Sequence, residues 1–439
     1  MSLVEKVRLA GVVGAGGGGF PAHVKLAGMA DTVIANGAEC EPLLHKDSAV
    51  MQHLAAEVVE GVRIVMQTVG AKDGVVGIKA KKKDAVAAIQ SACKGTPVRV
   101  HLLGDYYPAG DEYELVHAVT GRLIPPQGIP LLVGVVVSNV ETLANITAAA
   151  NGVPVTRKTI TLAGAVKNPV TITVPVGTTF REVIESAGGL ATDDPVLFVG
   201  GLMMGQLTDD LDTPVVKTST GAVILPRDHR LAGRRLKPAQ AQGRIGKSAC
   251  DQCRFCTELC PRYLLGYAVE PHQVMRSLAF TANGKNYWNQ MSANCCACGL
   301  CTLYSCPEEL YPKEACDASK AEMRAAGIQW AGPAPAKAHA MHDGRKVPIK
   351  MLMQRLHVGQ YDSPAPLTNT EIKPRQLDLP LKQSAGVPNN PLVKKGDIVR
   401  AGQPLGEIPN GALGAVLHAP LAGTVADVTG TRILLTRKS

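Results

Sequence analysis

The sequence contains few aromatic residues, only 4% of its 439 residues, and few charged residues, only 19%. No basic stretch carries the aromatic side chains that stack on nucleic-acid bases, so we expect no binding to nucleic acid. No run of about 18 apolar residues occurs, so we expect no membrane span. The amino-terminal segment MSLVEKVRLAG is too short and too charged for a secretory signal, and we expect a cytoplasmic protein.

Glycine, proline and cysteine are abundant instead, with 45, 30 and 12 residues, and 46% of the chain is apolar. This composition predicts a loop-rich globular protein, and the length predicts two to four domains. The formal net charge is +9, and it is concentrated partly in KAKKK (79–83) and in residues 227–247. Such runs form either an ordinary solvated surface or a surface that attracts an anionic cofactor or partner.

Residues 1–150 alternate apolar runs with amphipathic stretches. The runs TVIANGAE, VVGIKA, VRVHLLG and GVVVSNV predict strands, and DAVAAIQSAC and DEYELVHAVTG predict helices. This alternation indicates an α/β, Rossmann-like domain with buried parallel strands.

The rest of the chain changes its pattern several times. A predicted hairpin and one amphipathic helix, capped by Thr178 or Thr179, indicate a small ubiquitin-like α+β module. Short strands broken by glycine and proline near the carboxyl terminus predict a small all-β sandwich. The predicted units are a parallel-sheet domain 1–150, an α+β module 151–226, a basic linker 227–247, a cysteine-rich helical unit 248–330, a linker 331–385 and a sandwich 386–439.

Nine of the twelve cysteines fall within residues 250–306. The first run reads Cys250-x2-Cys253-x2-Cys256-x3-Cys260-Pro, which is the spacing of bacterial two-cluster ferredoxins. In those proteins the first three thiolates bind one [4Fe–4S] cluster and the fourth binds the other. With no export signal, we expect cluster ligands rather than disulfides.

The second run, Cys295-x2-Cys298-x2-Cys301-x4-Cys306-Pro, has one residue more before its last cysteine. We expect this longer arm still to reach the partner cluster. The expected ligands of the first cluster are Cys250, Cys253, Cys256 and Cys306, and those of the second are Cys295, Cys298, Cys301 and Cys260.

Some cysteines allow other interpretations. Cys296 could replace Cys295, although the spacing then fits less well. Two zinc sites are the alternative to two iron–sulfur clusters, but zinc is usually bound by two separated pairs of ligands. Cys40, Cys93 and Cys316 belong to neither run, and each is expected to be a small buried or surface thiol.

The segment GVVGAGGGGF (11–20) contains six glycines and ends on an aromatic residue. It is not a dinucleotide fingerprint in its usual place, because a predicted helix precedes it and Pro21 follows it. It is either a flexible turn or a loop whose N–H groups bind a phosphate. IANGAECEP (34–42) and VVSNVETLAN (136–145) follow predicted strands, at the sheet edge where ligands of α/β domains bind.

Taken together, GAGGGGFPAHVKL, NGAECEP and SNVETLAN resemble the flavin-binding 51-kDa subunit of respiratory NADH dehydrogenase and the related RnfC subunits. Ala38 stands where the respiratory subunit has an aspartate. The resemblance implies that Phe20 and Glu41 lie near the nicotinamide of NADH. It further implies FMN contacts from Gly14, Gly16, Gly17, Gly19, Lys25, Asn36, Glu39, Ser138, Asn139 and Thr142.

The order of modules resembles that of PduS-type cobalamin reductases of bacterial microcompartments. Residues 157–189 resemble the soluble-ligand-binding β-grasp (SLBB) module of this group, and the last segment resembles its barrel-sandwich part. Residues 396–437 contain no lysine that could carry a swinging prosthetic group, so we expect a packing or docking module there.

This resemblance implies a reductase that passes electrons from NADH through FMN and two [4Fe–4S] clusters to cobalamin. The implied partners are NADH, cobalamin or a cobalamin-handling protein, and microcompartment shell or enzyme proteins. A homo-oligomer is compatible with the sequence. Two further interpretations remain: an electron-transfer subunit that docks a partner without oxidising NADH, and a metal-binding structural scaffold.

Overall fold

The computed structural model describes residues 1–278 and 287–438 of the chain. Its first part is a parallel sheet in the order β3-β2-β1-β5. The strands are β1 (Thr32–Gly37), β2 (Asp73–Lys79), β3 (Val98–Leu103), β4 (Tyr106–Tyr107), which lies outside this sheet, and β5 (Val135–Asn139). The helices are α1 (Leu3–Leu9), α2 (Ala22–Lys25), α3 (Lys46–His53), α4 (Ala55–Val69), α5 (Lys83–Ala92), α6 (Glu112–Thr120) and α7 (Val140–Ala150). The prediction of a parallel α/β sheet is confirmed.

Both faces of this sheet are covered, because side chains alternate along each strand. Val33 and Ala35 of β1 enter one core with residues of α4 and α7. Ile34 enters a second core with Leu115 and Val116 of α6. Burial on both faces explains why these strands read as continuous apolar runs.

The β-grasp module follows in a mixed sheet, in the order β12-β7-β6-β10-β8-β9. Of the two predicted caps, Thr179 is the one that begins the helix, and it forms a capping box with Glu182. Gly188 (φ 85°) follows the end of that helix. The elements are β6 (Arg157–Gly164), β7 (Val170–Pro175), α8 (Phe180–Ser186), β8 (Pro195–Val199), β9 (Gln206–Thr208) and β10 (Gly221–Pro226).

The cysteine-rich part consists of short helices, and residues 279–286 within it lie outside the described chain. Residues 301–305 form a single π-helical turn. The α-helices are α9 (Arg230–Leu236), α10 (Ala239–Ala249), α11 (Phe255–Glu258), α12 (Pro261–Leu264), α13 (Pro271–Ser277), α14 (Tyr287–Gln290) and α15 (Pro312–Ala325). The predicted basic linker 227–247 is mostly helical, because it forms α9 and most of α10.

The carboxyl-terminal part contains a four-stranded sheet, β13-β18-β17-β15, and a two-stranded sheet, β14-β16, around one apolar core. This arrangement confirms the predicted small all-β sandwich. The elements are β11 (Val347–Pro348), α16 (Ile349–Arg355), β12 (Leu367–Thr368), β13 (Gln376–Pro380), β14 (Asn390–Pro391), β15 (Ile398–Val399), β16 (Gly406–Glu407), β17 (Gly423–Val428) and β18 (Arg432–Arg437).

The segment 331–385 differs from the predicted linker, since its strands pair with three other parts of the fold. β11 pairs with β4 of the parallel-sheet domain, and β12 pairs with β7 of the β-grasp module. β13 pairs with β18, so the sandwich begins before residue 386. Strand pairing at these separations depends on long-range contacts, which local proline and alanine content does not reveal.

Among the helices of the described chain, none combines the length and the apolar character that a membrane crossing requires.

Candidate functional site

The carboxyl ends of β1 and β5 lie side by side, because Asn36 pairs in register with Asn139. The chain passes from β1 to β2 and β3 on one side and returns to β5 on the other side of β1. In a doubly wound sheet, this reversal of strand order opens a crevice in which ligands bind. The predicted site segments 34–42 and 136–145 therefore meet at this crevice.

The glycine-rich loop, residues 11–20, closes on itself. The N–H group of Gly14 donates to the carbonyl of Phe20 at 2.9 Å, and the N–H group of Gly19 donates to the carbonyl of Gly14 at 3.2 Å. The three glycines between them (16–18) are exposed, and within the described chain their N–H groups have no hydrogen-bond partner. Adjacent free N–H groups of this kind form a binding site for an anionic phosphate.

The space around the loop fits a ligand that approaches the backbone closely. A Cβ atom added to Gly16 would lie 3.2 Å from Nδ2 of Asn139, whereas one added to Gly17 or Gly18 would meet no atom within 4 Å. Gly17 also has a φ of +110°, which residues with a side chain rarely adopt. The loop therefore has a packed rear side and an open front, and this arrangement fits the phosphate end of FMN.

Helix α7 fixes the base of the loop. Thr142 is 2% exposed, and its Oγ1 atom accepts a hydrogen bond from the N–H group of Ala15 at 2.9 Å. Asn139 caps α7 by accepting from the N–H group of Glu141, and its Nδ2 atom donates to Asp47 at 3.0 Å. Thr142 and Asn139 thus orient the loop and the crevice, and direct contact with FMN stays a prediction for both.

A buried group of charged side chains lies below the loop. Lys46 is fully buried and donates to Glu141 at 3.0 Å, and Lys158 forms an ion pair with the same carboxylate. Burial raises the pKa of Glu141, but Lys158 and Lys46 outweigh this effect, so that its pKa lies below the usual range. Lys46 also donates to Asp47 at 2.5 Å.

Glu39, another predicted FMN contact, lies beside this charged group. Its carboxylate accepts hydrogen bonds from the N–H groups of Asp47 at 3.0 Å and Ser48 at 3.4 Å. Burial and the charge of Asp47 raise the pKa of Glu39 to about 7. The charge of this crevice therefore changes near neutral pH.

The other predicted FMN residues surround the same strand ends. Lys25 donates to the carbonyl of Val137 on β5 at 2.9 Å and to Glu112 at 3.0 Å. Asn36 donates to the carbonyl of Gly110 at 2.9 Å and accepts from the N–H group of Ala38 at 3.1 Å. Ser138 is buried beside them on β5, with 7% of its surface exposed.

Phe20 and Glu41, the predicted nicotinamide neighbours, have different surroundings. Phe20 is half-buried at the end of the glycine-rich loop. The carboxylate of Glu41 accepts from the N–H groups of Met203 at 3.0 Å and Met204 at 2.9 Å, in a loop of the β-grasp module. Burial raises the pKa of Glu41 to about 7. Glu41 therefore joins two modules as the structure stands.

Sequence reasoning missed Lys46, Asp47 and Lys158. Lys46 and Asp47 open helix α3 a few residues after NGAECEP, so their position near a strand end was a usable signal. Lys158 gave no such signal, because it lies on β6 and reaches the crevice only through the packing of two modules.

The first group of cysteines lines a single cavity. It contains Cys250, Cys253, Cys256 and Cys306, together with Met275. Burial and then the neighbouring thiols of Cys306, Cys250 and Cys253 raise the pKa of Cys256 to about 12. Cys253 is exposed, whereas Cys256 and Cys306 are buried. Four thiols from both sequence runs that line one cavity are a donor set that fits a [4Fe–4S] cluster.

The second group surrounds Cys260. Burial raises the pKa of its thiol, and the nearby thiols of Cys296 and Cys295 raise it further. The pKa of Cys301 is raised in the same way by burial, Cys295 and Cys260. Cys298 lies against Cys296. The predicted second set of ligands is thus brought together, with Cys296 beside it.

Cys316 of α15 is a buried thiol, as expected, but it lies beside the second group of cysteines. Its thiol is fully buried and donates to the sulfur of Cys295, an interaction that raises the pKa of Cys316. The sulfur of Cys295 also accepts from the N–H group of Ala297 at 3.3 Å. Helix α15 follows the cysteine runs in sequence, and only its packing against them brings Cys316 to this group.

The two cysteine runs share one backbone pattern. Gln252 and Arg254, two and four residues after Cys250, have φ values of 59° and 69°. Ala297 and Gly299, two and four residues after Cys295, have φ values of 56° and 82°. Left-handed residues at equal offsets give the two runs the same local backbone path. In this register Cys295, rather than Cys296, is the counterpart of Cys250.

The sequence had led us to expect that the extra residue of the second run lengthens the arm before Cys306. It lies instead inside a helical turn. Residues 255–258 of the first run form an α-helical turn, and residues 301–305 of the second form a π-helical turn. A π-helical turn accommodates one additional residue. Cys306 therefore follows its helical turn directly, as Cys260 nearly does.

The second group of cysteines contacts the parallel-sheet domain closely. The hydroxyl of Tyr107 donates to the carbonyl of Cys298 at 2.7 Å. The buried guanidinium of Arg262, two residues after Cys260, donates to Asp111 at 2.9 Å and lies 3.4 Å from the ring centroid of Tyr113. The cavity of the first group, by contrast, is lined only by residues from 250 to 312.

Four family models match separate parts of the chain. They are the Nuo51 FMN-binding domain (residues 7–148), the SLBB domain (159–207), the 4Fe-4S dicluster domain (249–311) and the RnfC barrel sandwich hybrid domain (360–438). An FMN-binding domain joined to a dicluster domain defines an oxidoreductase that transfers electrons through flavin and iron–sulfur groups.

Individual relatives show which kind of oxidoreductase the chain is similar to. The cobalamin reductases PduS of Citrobacter freundii and Salmonella typhimurium are each 40% identical to the chain and are matched over 99% of this chain and 96% of their own length. One component of the proton-translocating ferredoxin:NAD(+) oxidoreductase complex of Clostridium ljungdahlii is 38% identical over 59% of this chain and 55% of its own length. The chain belongs to the PduS family of cobalamin reductases.

Proposed function

We propose that the protein oxidises NADH and delivers the electrons singly to a cobalamin acceptor, with FMN and two [4Fe–4S] clusters as its cofactors. When bound, FMN would accept electrons in pairs and release them one at a time, and the clusters would carry single electrons. The main support is that the parallel-sheet domain carries the open glycine loop beside the crevice and also contacts the second cysteine group directly. We also propose a cytoplasmic location within a bacterial microcompartment, as the family implies.

The glycine-rich loop is proposed to bind the FMN phosphate through the free N–H groups of residues 16–18. The crevice between β1 and β5 is proposed to receive the rest of the flavin, lined by Asn36, Ser138 and Asn139. Lys25 adds a cation to this site, and Glu39 adds a carboxyl group whose pKa is raised to about 7. Phe20, at the rim of the loop, is proposed to border the nicotinamide.

The contacts between modules also suggest an order for the two clusters. We propose that the second group, with Cys260, lies nearer to the flavin, since Tyr107 and Asp111 of the parallel-sheet domain bind its surroundings directly. The first group is proposed to be the exit, since Cys253 is exposed to solvent. A Cys256→Ser variant should then still let NADH reduce the other cluster, seen by electron paramagnetic resonance, while cobalamin reduction stops.

A second candidate function is an electron-transfer subunit that never binds NADH. Two observations favour it. Ala38 replaces the aspartate of the respiratory subunit, and both carboxylate oxygens of Glu41 already accept backbone hydrogen bonds from the β-grasp module. Glu41 would have to leave these partners to contact a nicotinamide.

Stopped-flow mixing with NADH distinguishes the two functions. The protein, purified and reconstituted without oxygen, is mixed with NADH while the flavin absorbance is followed. The proposed reductase loses its oxidised flavin absorbance within seconds and then reduces added aquocobalamin. Flavin that stays oxidised with NADH, yet is reduced by a chemical reductant, would establish the second function instead.

A further inference from the structure

We propose that Lys158, on the first strand of the β-grasp module, is a positioning residue for the glycine loop and hence for FMN. This inference rests on the proposed function, because it takes the loop to be the phosphate-binding element. It extends that function by making the β-grasp module part of the flavin site. Lys158 lies outside the matched FMN-binding domain (7–148) and outside the matched SLBB residues (159–207).

The geometry at Ala15 carries the proposal. The ammonium group of Lys158 donates to the carbonyl oxygen of Ala15 at 2.9 Å, and its side chain is only 1% exposed. On the other side, Thr142 accepts from the N–H group of Ala15 at 2.9 Å. Both backbone groups of this residue are therefore fixed. Because Ala15 immediately precedes the three exposed glycines (16–18), its orientation sets the direction in which their free N–H groups point.

The cost of burying this ammonium group argues against a purely structural role. A buried charge is expensive even when it is paired, and an apolar side chain of similar size often replaces such a pair without loss of stability. Lys158 instead places its charge between Glu141 and the loop carbonyl. A charged donor holds a carbonyl more firmly than a neutral one does. That extra firmness is useful where a loop must keep its shape while it binds an anion.

The same pattern recurs along the loop. Lys217 of the β-grasp module donates to the carbonyl of Gly11 at 2.8 Å, and the N–H group of Ala385 donates to the carbonyl of Gly19 at 2.9 Å. Three loop carbonyls at intervals of four residues are thus held by parts of the chain outside the parallel-sheet domain. Two of these contacts flank the exposed glycines (16–18), because Lys158 holds Ala15 before them and the N–H group of Ala385 holds Gly19 after them. Lys158 is the charged donor of the two.

The strand that carries Lys158 is also anchored to the crevice itself. The N–H group of Thr159 donates to Glu141 at 3.0 Å, and the N–H group of His45 donates to Thr161 at 3.1 Å. β6 is therefore held in place independently of Lys158. Replacing Lys158 should free Ala15 without detaching the β-grasp module.

The test measures FMN affinity in the full-length protein stripped of flavin, by quenching of FMN fluorescence. Lys158→Met should weaken FMN binding about 10- to 100-fold, which is the loss of one charge-assisted hydrogen bond. Lys158→Arg should retain most of the affinity, and the iron content should stay unchanged in both. The matched control is Thr159→Val on the same strand, which removes the buried hydroxyl contact to Thr173 at 2.9 Å. This control should lower thermal stability but bind FMN normally.

Further variants make the outcome decisive. If Lys158→Met does not fold, Lys158→Gln removes the charge with a polar side chain and should also weaken FMN binding. In the double variant Lys158→Met/Glu141→Gln, FMN binding should stay weak, because Ala15 is still free. Restored binding there would show that Lys158 only balances Glu141 and would overturn the proposal. Wild-type affinity in Lys158→Met, or an equal loss in Thr159→Val, would overturn it as well. Failure of the wild-type protein itself to bind FMN would refute the proposed function.

Discussion

Replacing Gly17 by valine should abolish FMN binding and leave both iron–sulfur clusters intact. Gly17 has a φ of +110°, a conformation that costs a β-branched residue on the order of 1–3 kcal/mol. A Cβ atom at this position meets no protein atom within 4 Å, so the added side chain fills the open front of the loop, where the phosphate is proposed to bind. Each lost hydrogen bond to a charged phosphate is worth about 1.5–3 kcal/mol.

The strain lowers the stability of the folded protein, whereas the loss of two such hydrogen bonds, about 3–6 kcal/mol, predicts that FMN affinity falls by at least about 100-fold. The assay is fluorescence titration of flavin-free protein with FMN, combined with iron analysis and electron paramagnetic resonance after reduction with dithionite. The clusters should be unaffected, because a Cβ atom at Gly17 points into open space and meets no atom of the cysteine groups within 4 Å.

Gly152→Val is the matched control for backbone strain. Gly152 also has a positive φ, +80°, and a Cβ atom there also meets no atom within 4 Å, but it lies in the turn after α7. This variant should suffer a similar conformational cost and still bind FMN. Normal FMN affinity in Gly17→Val would refute the assignment of the loop. A parallel loss of iron would refute the independence of the two sites.

Three other perturbations test the remaining parts of the site. Cys295→Ser should remove about half of the iron and one cluster signal, whereas Cys296→Ser should keep both clusters. The reverse pattern would make Cys296 the ligand. Arg262→Met should slow electron transfer from flavin to the nearer cluster in rapid-freeze measurements. It should also destabilise the protein by about 3 kcal/mol, since it leaves Asp111, whose side chain is 14% exposed, without its cation. An unchanged melting temperature would contradict this. Burial raises the pKa of Glu41 to about 7, so the folded protein binds its proton more tightly than the unfolded chain does. The stability of the wild type relative to Glu41→Gln should therefore fall, by up to about 3 kcal/mol, as the pH rises from 4.5 to 7 in thermal unfolding, and a constant difference would refute it.

The sequence was most informative where local patterns determine the structure. Buried parallel strands read as apolar runs, and the cap at Thr179 and the glycines after α8 mark the ends of one helix. The spacing of the cysteines was enough to propose two groups of thiols, and the structure brings the same residues together. Each of these signals lies within a few residues along the chain.

Features that depend on packing between modules could not be read in this way. Lys158, Glu41 and Cys316 act on partners 143, 162 and 21 residues away. The π-helical turn at 301–305 was also missed, because one extra residue can enter either a loop or a helix, and only the surrounding contacts decide. The three strands of 331–385 were missed for the same reason.

One loop of the β-grasp module contacts both the crevice and the second cysteine run. The N–H groups of Met203 and Met204 bind Glu41 at the crevice, and a Cβ atom added to Gly299 in the second cysteine run would lie 3.2 Å from the carbonyl oxygen of Met203. A side chain at Gly299 would therefore push against the same loop that holds Glu41. The β-grasp module is thus more than a spacer, because Lys158 holds the glycine-rich loop at Ala15 and the loop at Met203 packs against the second cysteine run at Gly299.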